Sequence, residues 1–80
     1  MSKEYYRKKI IYNRADIQKE KEAKKRDNER YAGYIKSASS ADSKASYRKR
    51  KIDAAADHDR RIESLKRSLE SANESLKRCK

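Results

Sequence analysis

The sequence contains no proline, tryptophan or phenylalanine, and only one glycine, one cysteine and one histidine. Each scarcity closes a class of chemistry. A single glycine, Gly33, leaves no glycine-rich loop to cradle a phosphate. A single cysteine, Cys79, allows neither an internal disulfide nor a cysteine-cluster metal site. Fraying near the end of a helix is expected to expose its thiol, which is open to an intermolecular bridge but is read as a spectator. The lone histidine stands in Asp57-His58-Asp59. Adjacent residues on a helix point away from one another, so these two carboxylates do not form a proton relay with it. A metal would need three or four donors converging on one point, and no further His or Cys supplies them. The chain is therefore expected to be non-enzymatic, with no catalytic residues, metal or cofactor.

Long apolar runs are missing as well. No stretch approaches the roughly 20 apolar residues that span a bilayer, and no apolar segment follows the basic start as it would in a secretory signal. The expectation is a cytoplasmic protein, with export only by a route that reads no cleaved signal. Strong core formers are few: six Ile and three Leu in 80 residues. Burying one contributes about 1.5–3 kcal/mol, while ordering costs roughly 1.5 kcal/mol per residue before hydrogen bonds and packing are credited. A lone monomer should be marginal, and so few aliphatics with a net charge of +11 also fit a disordered chain.

The abundant residues argue for helix instead. Ala, Glu, Lys, Leu and Arg supply 44 of the 80 residues, the composition of long helices once a periodicity accompanies it. Acid-first pairs at i,i+4 recur at Glu4/Lys8, Glu20/Lys24, Glu22/Arg26, Asp57/Arg61, Glu63/Arg67 and Glu74/Arg78. Between two helix-favouring stretches lies a segment of small, hydroxyl-rich residues at 37–43, in which Ser40 or Asp42 can cap a second helix. The fold class expected is all-α: one domain, with helices over 3–36 and 44–79 and a turn over 37–43, forming an antiparallel, coiled-coil-like hairpin. A single helix of roughly 115 Å is the rival, since nothing in the turn forbids helix; matched flank lengths favour the hairpin.

A heptad seam is clearest where Ile62, Leu65, Leu69, Ala72, Leu76 and Cys79 repeat at 3-4-3-4-3. Upstream, Tyr6, Ile10, Asn13 and Ile17 keep the same rhythm, and the frame extends to Tyr31, Tyr34, Ala38, Ala41, Ala45, Ile52 and Ala55. Between them it runs through Glu20, Lys24 and Asp27, a polar waist that should pack weakly and face 52–58. Either the helices splay there or a second chain completes the core.

Partner binding is the function this pattern favours. The expected interface is Tyr6, Ile10, Ile17, Tyr31, Gly33, Tyr34, Ile52, Ile62, Leu65, Leu69 and Leu76, used to dimerise with itself or with another helical protein into a bundle. Tyr31, Tyr34 and Tyr47 are candidates for a sticky tip beside the turn. Ser64, Ser68, Ser71 and Ser75 form either a flank that another helix can approach or a solvated face. The basic clusters Lys24, Lys25, Arg26 and Arg48, Lys49, Arg50, Lys51 carry the alternative, nucleic-acid or anionic-surface binding. In a hairpin they lie at similar heights and would form one positive band.

A short helical hairpin with an aromatic-x-Gly near its turn, here Tyr31-Ala32-Gly33, resembles the Esx/WxG-type proteins of bacterial type VII secretion, with Tyr in place of the family's Trp. Tyr12-Asn13-Arg14-Ala15-Asp16 has the form of that system's export signal, but the family carries it after the second helix, so this copy is not counted as one. The resemblance implies a four-helix bundle made by helix-to-helix dimerisation. The strong positive charge points to a toxin-associated helper or targeting partner rather than an exported member.

Overall fold

A computed structural model describes residues 2–79, and among them there are two helices and no strand: α1, Lys3–Ser37, and α2, Ala41–Arg78. They fold back on each other as an antiparallel hairpin 62 Å long and 14 by 12 Å across. The rival single helix is excluded by a turn of three residues, shorter than the seven expected. Ser37 ends α1, and the Ala38 N–H closes on the Tyr34 carbonyl. Ser40 then starts α2 at once: its hydroxyl accepts the Ser43 N–H at 3.1 Å and its carbonyl accepts the Lys44 N–H at 3.1 Å. A serine N-cap in extended conformation satisfies donors that the first turn leaves open, so 41–43 belong to helix rather than turn. Ser2 does the same for α1 by accepting the Tyr5 N–H.

The buried apolar side chains are Ile10 and Ile17 of α1 with Ile62 and Ala72 of α2. Leu65, Leu69, Leu76 and Tyr6 flank them half-buried, and so does Cys79, expected to be exposed. Asn13 shares this seam, 9% exposed, and donates to the Ser68 hydroxyl at 3.1 Å across the pair. A polar residue placed among apolar ones favours the register in which it finds its partner, at some cost in stability. The seam is thus confined to the open end of the hairpin.

The upstream frame drifts. Ile52, assigned to the seam with Ala41, Ala45 and Tyr34, is 68% exposed, and those three are exposed as well. The 3-4 spacing of Ile62, Leu65, Leu69 and Ala72, counted back from Ile62, reaches His58, Ala55 and Lys51 and leaves Ile52 beside the seam. The seam instead passes through Lys44, Tyr47, Lys51, Ala55 and His58, all half-buried or buried.

This placement predicts opposite outcomes for two isoleucines. Ile62→Ala should cost about 2–5 kcal/mol, comparable with the whole stability of so small a core. Ile52→Ala should stay within about 0.5 kcal/mol of the parent. Urea unfolding followed by circular dichroism separates them; equal destabilisation would restore Ile52 to the seam.

Candidate functional site

The waist of the hairpin is organised around His58. Glu20 and Asp27 stand seven residues apart, two turns on one face of α1. His58 of α2 enters between them, 7% exposed. Its Nδ1 lies 2.5 Å from Glu20 Oε1 and its Nε2 lies 2.6 Å from Asp27 Oδ2. Ionised carboxylates only accept hydrogen bonds, and a neutral imidazole carries one N–H, so two such contacts require the imidazolium. Arg61 reaches Glu20 at 3.1 Å, Arg30 reaches Asp27 at 3.0 Å, and Lys24 reaches Asp59 at 2.7 Å. Two of the pairs expected along single helices, Glu20/Lys24 and Asp57/Arg61, are thus redirected: Glu20, Lys24 and Arg61 bond across the hairpin, and Asp57 pairs with Arg60. Glu4/Lys8 and Glu63/Arg67 keep their helical partners.

The electrostatics follow from the geometry. The hydrogen bonds His58 donates to Asp27 and then to Glu20 raise its pKa above the ordinary 6.5, against burial, which lowers it. The His58 hydrogen bond lowers the carboxyl pKa of Glu20, with Arg61 adding to the effect, and lowers that of Asp27, with Arg30 and Arg26 adding theirs. Asp57 and Asp59 play no part in the clasp. The sequence neighbours were the wrong carboxylates to weigh, and the heptad frame through Glu20 and Asp27, set opposite His58, was the signal that could have found the right ones. The two carboxylates hold opposite nitrogens of one ring, so they do not converge on a point as metal ligands would.

The outer surface has two unlike flanks. On one, a groove of about 390 Å³ is lined by Asn28 and Ile35 of α1 and by Arg48, Lys51, Ile52 and Ala55 of α2. On the other, the expected tip forms. Tyr34 lies against both Tyr31 and Tyr47, with ring centroids 6.0 and 5.3 Å apart. Arg30 covers Tyr31 at 5.3 Å and Arg50 covers Tyr47 at 5.7 Å. Gly33 sits inside α1, where an added Cβ would meet nothing within 4 Å.

The basic clusters do not merge into one band. Lys24 is turned inward to Asp59, while Arg48 and Lys51 border the groove and Arg50 lies with Ser43, Ser46 and Tyr47. Four consecutive residues fan over about 300° of the helix circumference, so the cluster 48–51 divides between the flanks. Of the expected interface, Ile10, Ile17 and Ile62 are buried within the hairpin, Leu65, Leu69 and Leu76 are half-buried there, and Ile52 and Tyr34 are exposed. Compared with known proteins, the chain matches no family model, no curated protein and no solved structure.

The clasp predicts a window of pH. The His58 contribution is complete below its ordinary 6.5 and is lost as pH rises through the raised folded value. The carboxylate contributions are complete above the ordinary 4.5 of Glu20 and 3.8 of Asp27, and are lost as pH falls through their lowered folded values. Between roughly 4.5 and 6.5 all three act together. Thermal melts should therefore show stability declining on the alkaline side, and His58→Gln should flatten that decline while lowering stability near pH 6. An unchanged alkaline slope in the variant would remove His58 from the account.

Proposed function

We propose that the chain is a non-enzymatic interaction module, a helical hairpin that holds a further helix against its outer surface, supplied by a second copy or by another protein. The observation that carries this reading is the division of the apolar side chains. Among the described residues only Ile10, Ile17, Ile62 and Ala72 are buried apolar side chains, and no large side chain is fully buried, whereas Ile11, Tyr12, Ile52, Tyr5 and Tyr34 are exposed at 45% or more. Exposed apolar side chains are ordinary when scattered, but here Ile52 and Ile35 line a groove running between two helices. Covering such a surface adds apolar burial to a seam that has little. No helix among the described residues is long and apolar enough to cross a membrane, so a bilayer-spanning role does not compete.

A narrower form of the reading is an accessory or targeting partner in type VII secretion, working in the cytoplasm. It draws support from the hairpin and from Tyr31-Ala32-Gly33 close to the turn. Gly33 has open space around it, which suits a partner approaching from outside rather than a need of the hairpin itself.

A second reading, polyanion binding, is favoured by one observation: Lys25, Arg26, Arg48, Lys49, Arg50 and Lys51 make no ion pair among the described residues. It requires affinity for duplex DNA that falls steeply with salt.

Sedimentation and thermal melts test the leading proposal. Either the purified chain forms a defined dimer between micromolar and near-millimolar concentration, or its melting temperature rises when amphipathic helical peptides are added, because a ligand that binds only the folded state stabilises it. A chain that stays monomeric and is stabilised by no helix would contradict the interaction reading.

A further inference from the structure

We propose that the groove between the helices beside the turn is a docking site for an acidic amphipathic helix of another protein. This rests on the interaction reading above and gives the partner its chemistry. The floor is apolar: Ile35 of α1, and Ile52 and Ala55 of α2, with Ile52 68% exposed. The rim is cationic: Arg48 and Lys51 border the groove, and neither makes an ion pair among the described residues. By helical spacing, Lys25 and Lys21 continue the α1 side at three and seven residues before Asn28, and Lys44 continues the α2 side one turn before Arg48. The acid that approaches this flank, Asp59, is taken by Lys24 at 2.7 Å. An apolar floor between unneutralised cations calls for an occupant with an apolar stripe and carboxylates on both sides of it.

Three competing occupants fit less well. An extended peptide gains affinity by adding main-chain hydrogen bonds to a strand edge, and both walls here are helices whose backbones are already paired. A polyphosphate satisfies the rim but leaves Ile52 in water, and the aromatic rings on which bases would stack, Tyr31, Tyr34 and Tyr47, belong to the opposite flank with Arg50. A second copy presenting the same groove would bring one cationic rim up to another, on a chain that already carries +11. Asn28 and Ile35, seven residues apart, span about 10 Å of α1, two helical turns. That length admits two consecutive apolar residues of an i,i+3 or i,i+4 stripe.

The test uses the full chain and two labelled three-heptad peptides, both with Leu at a and d, one with Glu and the other with Lys at e and g. Fluorescence anisotropy should show the Glu peptide binding and the Lys peptide not binding. Ile52→Ser should weaken the Glu peptide about tenfold or more, with helicity unchanged because the side chain is 68% exposed in the hairpin. Arg48→Glu with Lys51→Glu should shift preference toward the Lys peptide. Equal binding of the two peptides, or binding indifferent to Ile52→Ser, would overturn the assignment of the groove while leaving the interaction reading standing. Binding of neither peptide would overturn the assignment, and with a chain that also stays monomeric it would count against both. If duplex DNA displaces the Glu peptide from the parent and binds Ile52→Ser equally well, the rim is a polyanion contact and the proposal fails.

Discussion

One imidazolium held between two carboxylates sets the middle of this hairpin. The open end has an apolar seam, and the tip has a capped turn with three tyrosines around it. Between them the facing positions of α1 are Glu20, Lys24 and Asp27, none of which packs as a core residue would. His58 converts that stretch from a weak point into a contact with direction, because both ring nitrogens are satisfied only in one alignment of the helices. Arg61, Arg30 and the Lys24–Asp59 pair extend the same network toward solvent.

Charged networks of this kind contribute more to specificity than to net stability. Removing charges from water is costly, and a well-packed apolar replacement is often as stable or more so, whereas removing one member leaves its partners uncompensated. The Asn13–Ser68 bond acts similarly one seam further along. Together they fix which residues of α1 meet which of α2 without adding much apolar burial. The hairpin is consequently well aligned but thinly cored, and Ile11, Tyr12 and Ile52 are left exposed. Alignment from polar contacts and adhesion left over on the surface are two sides of the same composition.

Much of the fold was legible in the sequence. Composition and the 3-4 rhythm gave two helices, and the seam through Ile10, Ile17, Ile62 and Ala72 lies where the rhythm is strict. The turn is shorter than its Ser- and Asp-rich composition suggests, because a single N-cap, Ser40, is enough to start the helix. The frame fails at Ile52 because it is carried from α1 across the turn, whereas the 3-4 rhythm of Ile62, Leu65 and Leu69 counted back runs through His58, Ala55 and Lys51. His58 was weighed against its neighbours in sequence rather than against the residues across the hairpin. That contact spans 31 and 38 positions, and it could be read only once the hairpin register was applied to the polar positions as well as the apolar ones. The groove was not legible, since it depends on which side of each helix remains after the seam is set.

His58 is the chain's single histidine, so its imidazole signals in nitrogen NMR need no assignment by mutation. A pH titration of those signals tests the clasp most directly. Both ring nitrogens should remain protonated above pH 6.5, the ordinary value, with the proton lost only as the hairpin loosens. A histidine that titrates at or below 6.5, passing through a neutral tautomer with no change in helicity, would show that the two carboxylates do not hold it and that the waist is aligned by something else.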